Sequence, residues 1–307
     1  MNSIGQPLVS IISINYDHPE VTCQMLESLR KITYKNIEII VIDNASPHDD
    51  PGIIPKLYPE VKFIQLNENL GFAGGNNIGM REAKGKYILL LNNDTEVTPG
   101  FLEPLVEKCE NDSQIGAVSP KIKFQHSPEI LQFTGISKIN QFTARSKGWG
   151  FGIQDNGQFD EDTESAYAHG AAMLVPRKVI EEVGLLADIY FLYYEELDWS
   201  HRIRQAGYKI YYVHNSLIYH KESISTGKNS PTRTYYMNRS RILFMRRNVK
   251  QPILSLAIIY QFFIAIPKNA LSFLFRGRAD LFLAYHKAIM WHLKHLNSKK
   301  IHYHPKL

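Results

Sequence analysis

Cysteine is scarce in this chain of 307 residues, which has only Cys23 and Cys109. Both fall in segments predicted to be helical, and neither has a partner at the spacing of a metal site. This scarcity excludes a disulfide framework and indicates a reducing compartment. The N-terminal stretch MNSIGQPLVSII also lacks a basic flank and a long apolar core, so we expect no secretion signal and a cytoplasmic protein.

An apolar run of membrane-spanning length is also missing. The run ILSLAIIYQFFIAI at 253–266 has 14 residues and is expected to break at Pro267 and Lys268, whereas a span needs about 20 residues. The flanking cations leave two interpretations open, a helix lying on an anionic membrane surface or a helix packed within a helical appendage. These cations are Arg246, Arg247, Lys250, Lys268, Arg276 and Arg278.

Acidic residues are absent from the stretch RTYYMNRSRILFMRRNVK at 233–250, although the net charge of the whole chain is only +5. The positive charge is therefore local. A nucleic-acid-binding protein would place such a stretch in a readable fold motif, and none is found here. We therefore predict no nucleic-acid partner.

A dinucleotide-binding glycine motif after the first strand is missing as well. That strand is followed by NYDHPE, and the glycine-rich segment NLGFAGGNNIG comes later, at 69–79. This position excludes hydride transfer by a Rossmann dehydrogenase. Gly74 and Gly75 are expected at a helix N-terminus, where they serve either close approach to an anion or tight packing.

Apolar strands separated by helix-length segments are the main feature that is present. Strands are predicted at 8–15, 37–43, 61–66 and 87–91, with helices between them. With an apolar fraction of 44% and a charged fraction of 21%, the chain has enough material for a sizeable core. The alternation predicts an α/β fold with a mostly parallel sheet and helices on both faces.

Polar residues gather where these strands end. They are Asn15 and Tyr16, Asp43 and Asn44, Asn67 and Asn69, and the run Asn92 to Asp94. In open α/β sheets, ligands bind outside the carboxyl ends of the strands. The sequence therefore predicts a binding site at this edge of the sheet.

The ordered segments VSIISINYD, VIDNAS, NLGFAGGNN, LLNND and FLYYEELDWSHRIRQAGYKI resemble the motif series of family 2 glycosyltransferases. The resemblance covers about residues 8–248 and is greatest to the rhamnosyltransferase-like branch that builds bacterial surface polysaccharides. It implies a GT-A fold, a nucleotide-sugar donor, a divalent metal and inversion at the anomeric carbon. We expect a catalytic domain at 1–248 and a basic helical appendage at 249–307.

The resemblance places the segment NND at the position of the family's DXD-like motif. It implies that Asp94 binds the metal and that Asn92 faces the ribose or a water in the metal's outer shell. Asn93 belongs to the same donor-binding run. A single carboxylate leaves most metal ligands to water and diphosphate oxygens, which suits Mg²⁺ or Mn²⁺. The alternative is that Asn93 and Asp94 only cap a turn.

Other donor contacts follow from the same resemblance. Asp43 matches the aspartate that hydrogen-bonds the pyrimidine base, with an Asx turn in DNAS as the alternative. Asn15, Asn69 and Gly75 are further donor contacts. Asn76 either reaches the nucleotide or packs the start of the helix.

The segment YYEELDW matches the place of the family's catalytic base. The family usually has Glu-Asp-x-Asp there, whereas this chain has Glu195, Glu196 and Asp198. Inverting transfer needs one carboxylate to take the acceptor's proton. Glu196 is the expected base, while Glu195 caps the helix or serves in its place. Asp198 and Arg202, four residues apart, also suit a helical ion pair.

Two histidines are weaker candidates. His220 matches the family's histidine near the metal or the leaving diphosphate, and His169 lies where the family contacts donor sugar or acceptor. Each is alternatively a structural histidine. The polar, glycine-rich segment 138–165 is predicted to be a loop on the acceptor side.

The partners implied are a dTDP-rhamnose or UDP-sugar donor and a saccharide or lipid-linked acceptor, with the enzyme in the cytoplasm at the inner face of the cell membrane. A non-catalytic sugar-nucleotide or polysaccharide-binding protein is one alternative, but it would not need carboxylates in both NND and EELD. A nucleotidyltransferase is another, but it would carry a basic glycine-rich loop after its first strand, which NYDHPE is not.

Overall fold

A sheet of ten strands lies at the centre of the computed structural model, which describes residues 5–221, 229–303 and 305–307. The strands are β1 (Val9–Asn15), β2 (Ile37–Asp43), β3 (Lys62–Gln65), β4 (Tyr87–Leu91), β5 (Thr95–Val97), β6 (Ile115–Phe124), β7 (Ser127–Phe133), β8 (Thr163–Glu164), β9 (Ala172–Pro176) and β10 (Lys209–His220). The helices are α1 (Pro19–Leu29), α2 (Ile53–Leu57), α3 (Gly71–Glu82), α4 (Leu102–Asn111), α5 (Arg177–Val183), α6 (Glu195–Gln205), α7 (Pro231–Asn248), α8 (Ile253–Tyr260), α9 (Ile266–Phe275) and α10 (Ala279–Lys294).

The strand order is β3-β2-β1-β4-β9-β6-β10-β5, with β7 beside β6 and β8 beside β10. The neighbours β3, β2, β1 and β4 are parallel, as are β6 and β10. In contrast, β9 runs antiparallel to both β4 and β6, and the short strands β5, β7 and β8 are antiparallel as well. The predicted α/β fold is confirmed, in the form of a mixed sheet whose first four strands are parallel.

The sheet is covered on both faces by helices that bury apolar side chains. One core cluster includes Met25, Leu26 and Leu29 of α1 together with residues of α4. The other includes residues of α3, α5 and α6, with Trp199 fully buried. Every residue of β4 is buried, because an all-apolar strand between two helical layers removes both of its faces from water. This layering fixes the carboxyl edge of the parallel strands as the place where polar groups emerge.

The C-terminal apolar segment forms one helix that runs from Ile253 to Phe275 and is long and apolar enough, by length and composition, to cross a membrane. The expected break at Pro267 is therefore wrong. A π-helical turn at Gln261–Ala265 precedes α9, and Pro267 occupies the first turn of α9. A change in hydrogen-bond pattern just before a proline accommodates its missing N–H without ending the helix.

This helix has one packed face and one exposed face. Ala257 is fully buried, and Gln261 is buried and donates a hydrogen bond of 3.2 Å to the carbonyl of Phe142. Most of the exposed residues are large and apolar: Leu256, Ile258, Ile259, Phe262, Phe263, Ile264, Leu271, Leu274 and Phe275. The helix is thus fixed to the protein along one side and presents a continuous apolar surface on the other.

Two of the flanking cations point into the protein. Arg246 donates to the carbonyls of His295 and Leu296 at 2.8 and 2.9 Å. Arg247 forms an ion pair with Asp198 at 2.9 Å and is almost fully buried. These contacts favour the packing interpretation for Arg246 and Arg247, whereas Lys250, Lys268 and Arg276 are exposed. The division of the chain at residue 248 stays a prediction.

Candidate active site

A chain of hydrogen bonds connects the ends of three parallel strands. Asn93 Nδ2 donates to Thr22 Oγ1 at 3.0 Å, and Thr22 Oγ1 donates to Asn15 Oδ1 at 2.7 Å. Asn15 Nδ2 in turn donates to Asp43 Oδ1 at 2.8 Å. The structure therefore brings together three residues that the sequence predicted, Asn15, Asp43 and Asn93. Thr22, in the first turns of α1, joins them and was missed, because nothing local distinguishes it from an ordinary helical threonine.

Asp43 is fully buried at the end of β2. Its Oδ1 accepts a hydrogen bond of 2.6 Å from Ser46 Oγ, and its Oδ2 accepts one of 3.2 Å from the Ser46 backbone N–H. Asp43 thus bonds within DNAS, although to the residue three positions on rather than two as in an Asx turn. The contact of Asp43 with a nucleotide base stays a prediction.

Asn44, which had no assigned role, shapes the loop that precedes α3. Its Nδ2 donates to Asn69 Oδ1 at 2.9 Å, and its Oδ1 accepts from the Leu70 N–H at 2.9 Å. Asn69 Oδ1 also accepts from the Gly71 N–H at 2.8 Å. The Asn69 side chain therefore holds the loop, and its contact with the donor stays a prediction.

The helix that was expected to open near Gly74 begins one turn earlier, at Gly71. Gly75 and Asn76 consequently lie inside α3 and are buried. A Cβ on Gly75 would come within 2.9 Å of Ile14 Cδ1, and Asn76 Nδ2 donates to the Phe72 carbonyl at 3.0 Å. These contacts favour the packing interpretation of both residues.

Asp94 and His220 meet at the edge of the sheet, where β10 ends beside β5. His220 Nε2 lies 3.0 Å from Asp94 Oδ1, and His220 Nδ1 lies 2.9 Å from Gln132 Oε1. An amide oxygen only accepts, so Nδ1 donates to Gln132 and this hydrogen bond turns Nε2 toward Asp94. In the described part of the chain, buried Asp94 Oδ1 has no hydrogen-bond donor. An imidazole nitrogen and a carboxylate oxygen, both atom types that bind metals in proteins, thus lie side by side.

His169 lies beside this pair. The ring centres of His169 and His220 are 6.2 Å apart, and His169 Nδ1 accepts a hydrogen bond of 3.1 Å from the Ala171 N–H. Burial, together with the charge of His220, lowers the pKa of His169 to about 3. His169 is therefore neutral at physiological pH. The same loop is joined to the NND motif, because the Asn92 N–H donates to the Ala171 carbonyl at 2.9 Å.

Glu196 lies against this loop from the other side. A Cβ built on Gly170 would be 3.5 Å from Glu196 Cγ, an ordinary van der Waals distance, so the glutamate side chain packs beside Gly170. Burial raises the pKa of Glu196 to about 7, against the lowering effect of backbone N–H groups at the start of α6. A carboxyl group with this pKa exchanges protons readily near neutral pH.

The backbone that leads into α6 is strained. Phe191, Tyr193 and Tyr194 have φ angles of 63°, 65° and 73°, in the left-handed region that non-glycine residues rarely adopt. The Phe191 carbonyl accepts a hydrogen bond of 2.6 Å from the Phe72 N–H, which fixes this turn against α3. Residues held in such conformations cluster at functional sites.

The other two carboxyl groups of EELD face the protein interior. Glu195 is buried, its Oε2 has no partner among the described residues, and burial followed by the charge of Glu196 raises its pKa well above the usual value. Asp198 is fully buried and pairs with Arg202 at 3.1 Å and Arg247 at 2.9 Å. Burial alone would raise the pKa of Asp198, but the two guanidinium groups hold it well below its usual range. The ion pair with Arg202 is the alternative considered for Asp198.

A second group of ligand-type side chains lies after β1, at the start of α1, and after β2. The ligand atoms of His18, Glu20 and Asp49 lie within 4.8 Å of one another. Unlike Asp94, these side chains are solvated, and exposed acidic groups of this kind are common without an ion.

An α/β sheet with convergent carboxylates and a raised carboxyl pKa at its carboxyl edge is the framework of a group-transfer enzyme. Residues 10–184, more than half of the chain, match the family described as "Glycosyl transferase family 2". The chain therefore belongs to glycosyl transferase family 2, and glycosyltransferase activity follows from that membership.

Individual relatives agree with this assignment. The chain is 20% identical over 258 residues to the N-acetylglucosaminyl-diphospho-decaprenol L-rhamnosyltransferase of Mycobacterium tuberculosis, a match that covers 78% of this chain and 84% of the relative. The fold of this chain is similar to that of GalNAc-T7 solved with UDP, GalNAc and Mn²⁺. The TM-score is 0.65 and the identity 16%, over 94% of this chain and 57% of that one.

The mannosyltransferase PcManGT from Pyrobaculum calidifontis, solved with GDP-Man and Mn²⁺, also has a similar fold. The TM-score is 0.56 and the identity 14%, over 96% of this chain and 88% of that one. These similarities confirm the GT-A type of fold.

Proposed function

We propose that this protein is an inverting glycosyltransferase that moves a sugar from a nucleoside-diphosphate sugar to a hydroxyl group of a saccharide acceptor. The observation that carries the proposal is the position of Glu196. Its side chain lies against Gly170. In the same loop, the ring centre of His169 is 6.2 Å from that of His220, and the Ala171 carbonyl accepts a hydrogen bond from the Asn92 N–H. A carboxyl group with a pKa of about 7 thus shares one edge of the sheet with the Asp94–His220 pair.

Asp94 and His220 would hold a divalent cation. The residues fit such an ion, because Asp94 Oδ1 is buried without a donor and Gln132 orients His220 so that Nε2 faces it. Similar folds were solved with Mn²⁺, and the mixed oxygen and imidazole ligands suit Mn²⁺ or Mg²⁺. When bound, the ion supplies positive charge that stabilises the departing diphosphate.

The strand ends would hold the nucleotide. Asp43 would accept the N3–H of a pyrimidine base through a carboxylate that Asn15 and Ser46 already orient. Asn92, half-buried in front of this network, would face the ribose. Asn93, through its hydrogen bond to Thr22, and Asn69, through its hydrogen bond from Asn44, would position the residues that contact the nucleotide.

Glu196 would act as the general base. The acceptor oxygen attacks the anomeric carbon while its proton passes to the Glu196 carboxylate and the bond to the diphosphate oxygen breaks. A single displacement of this kind inverts the configuration. Glu195 is unsuited to the role because its raised pKa keeps it protonated, and Asp198 is unsuited because both of its oxygens are engaged with arginines.

The donor we propose is dTDP-rhamnose, and the acceptor a lipid-linked saccharide. The support is the similarity to the mycobacterial rhamnosyltransferase, whose name specifies a diphospho-decaprenol acceptor. The exposed apolar face of the 253–275 helix, with Lys268 and Arg276 beside it, suits a protein that lies on an anionic membrane surface. The enzyme would then work at the cytoplasmic face of the membrane.

A donor-hydrolysis screen tests the proposal. The purified protein is incubated with dTDP-rhamnose and a panel of UDP- and GDP-sugars, with MnCl₂ or with EDTA, and release of the nucleoside diphosphate is measured. We expect metal-dependent turnover of one or a few donors. When an acceptor is present, Glu196→Gln should lose transfer to it; without an acceptor, the variant should still hydrolyse the donor. Absence of nucleotide binding at millimolar donor would overturn the proposal.

A further inference from the structure

Two arginines outside the donor site lie where the catalytic domain meets the C-terminal helices. Arg241 is on α7, and Arg145 is in the loop between β7 and β8. This loop is held at both sides. The Ala144 carbonyl accepts a hydrogen bond of 2.8 Å from Tyr194 Oη, and the Phe142 carbonyl accepts one of 3.2 Å from Gln261 Nε2. Arg145 therefore lies between the strained turn before Glu196 and the apolar 253–275 helix.

Arg241 is half-buried and its guanidinium group is incompletely bonded. Its Nη2 donates to Asn238 Oδ1, but its Nε is buried and has no acceptor among the described residues. An unmet buried donor costs about 1–3 kcal/mol, and more when it is charged. An Nε–H group and a neighbouring Nη–H group form the fork with which arginine binds phosphate oxygens. The unpartnered Nε–H of this fork suits an oxygen of an anionic ligand.

No carboxylate neutralises this pair within the described parts of the chain. Burial lowers the pKa of Arg241, the positive charge of Arg145 lowers it further, and Tyr194, Tyr285 and Tyr260 offset only part of this effect. Arg145 is exposed and forms no ion pair with a described residue. Two like charges near each other in a partly buried setting are unfavourable unless an anion lies between them.

Aromatic and apolar groups surround the two cations on the side of the helices. Tyr194 packs on Phe244 of α7 with ring centres 5.9 Å apart, and Tyr285 of α10 accepts from Asn269 at 3.3 Å. The apolar face of the 253–275 helix begins nearby, because Gln261 joins that helix to the loop of Arg145. An acidic group attached to a lipid chain matches these surroundings.

We propose that Arg145 and Arg241 form a binding site for the phosphate groups of a lipid-linked acceptor. This inference rests on the proposed function, which supplies an acceptor hydroxyl at Glu196. The diphosphate would bind to the arginines, the sugar would extend past Tyr194 toward Glu196, and the lipid chain would extend along the 253–275 helix. The donor's diphosphate is held separately, at Asp94 and His220.

Titration with a short lipid diphosphate tests this site without relying on catalysis. Farnesyl diphosphate and farnesol are titrated calorimetrically into detergent-solubilised protein whose donor site is saturated with dTDP and Mn²⁺. We expect farnesyl diphosphate to bind the parent, and Arg241→Gln and Arg145→Gln each to weaken it by about tenfold or more, as expected for a hydrogen bond to a charged group. Farnesol binding should not change, and Arg30→Gln, at an exposed ion pair with Glu60, is the control.

Three results would overturn the site. The first is equal affinity of parent and both variants for farnesyl diphosphate. The second is displacement of dTDP by the lipid diphosphate, which would place the phosphate at the donor site. The third is that the two variants lose binding to phosphatidylglycerol vesicles by the same factor as to farnesyl diphosphate, which would identify the anion as a bilayer headgroup. Since Arg145 is exposed, its variant is expected to fold even if Arg241→Gln does not. Failure of the proposed function would appear separately, as a parent protein that hydrolyses no donor.

Discussion

The imidazole Nε2 of His220 lies 3.0 Å from Oδ1 of Asp94, while the opposite nitrogen of the same ring is bonded to Gln132. Residue 94 follows β4 and residue 220 ends β10, so two distant segments of chain bring these side chains together. A buried carboxylate oxygen without a donor is costly, and a cation between the two groups removes that cost.

This arrangement predicts that Asp94 and His220 both contribute to metal affinity. Asp94→Asn removes the charged ligand and His220→Gln removes the imidazole, so each should weaken Mn²⁺ binding by at least about tenfold in the presence of dTDP. Electron paramagnetic resonance of free Mn²⁺ gives the affinity directly. Asp49→Asn, in the exposed cluster, is the control and should leave the affinity unchanged. Parental affinity in Asp94→Asn would exclude this residue as a ligand.

Glu196 should control the pH dependence of transfer. The base is active when deprotonated and its pKa is raised to about 7, so the rate should rise between pH 6 and pH 8 and be half-maximal near 7. Glu196→Gln keeps the shape of the side chain but removes proton acceptance, which typically lowers the rate by about 10²- to 10⁴-fold. Donor binding, measured by titration, should stay the same because the nucleotide contacts other strand ends.

Glu195→Gln is the matched control for that experiment, and it carries a prediction about stability. A buried glutamate with a raised pKa binds a proton more tightly when folded, so its stabilising contribution is present at low pH and lost as the pH rises above the ordinary value near 4.5. Glutamine has no such dependence. We therefore expect Glu195→Gln to raise the melting temperature relative to the parent at pH 8 by about 2 °C or more and to change it little at pH 5.

Transfer rates of the two glutamine variants test whether Glu196, and not Glu195, is the base. If Glu195→Gln abolished transfer while Glu196→Gln kept more than about a tenth of the parental rate, the base would be Glu195. An unchanged melting temperature at pH 8 would show that Glu195 is ionised in the folded state.

Local signals were sufficient to predict the fold class and the edge that carries the site. Apolar strands such as β4 and polar residues such as Asn15 at strand ends are properties of neighbouring residues, so they can be recognised in the sequence. The antiparallel direction of β9 could not be predicted, because every residue of this strand is buried and a short apolar run gives no signal of its direction in the sheet.

Contacts between distant segments could not be predicted. Gln132, which orients His220, is 88 residues away from it, and Arg247, which pairs with Asp198, is 49 residues away. The basic stretch at 233–250 therefore gave no local sign that the side chains of Arg239 and Arg247 are buried. A charged residue within a helix does not indicate whether its partner lies on another element.

Asp198→Asn should destabilise the protein without identifying a base. It would leave Arg202 and Arg247 buried without a counter-charge, which typically costs about 3–5 kcal/mol. Glu60→Gln, which removes an exposed ion pair with Arg30, should cost no more than about 1 kcal/mol. Urea unfolding followed by circular dichroism compares the two. A stable Asp198→Asn protein that binds donor but transfers no sugar would instead make Asp198 a participant in the reaction.

The exposed face of the 253–275 helix should bind anionic membranes through both charge and apolar contact. Lys268 and Arg276 are exposed on this helix or at its end, and each basic residue near an anionic surface contributes about 1 kcal/mol. Lys268→Glu/Arg276→Glu should therefore weaken binding to phosphatidylglycerol vesicles by about tenfold or more and have little effect on neutral vesicles. Phe262→Ser/Phe263→Ser should weaken binding to both, because it removes apolar groups that are more than half exposed, 59% and 70% respectively.

Lys31→Glu/Lys56→Glu changes the net charge equally at exposed positions after α1 and in α2, and vesicle flotation compares the three double variants. If that distant pair weakened binding as much as the helix variants, net charge alone would govern the interaction and the helix would have no special part in it.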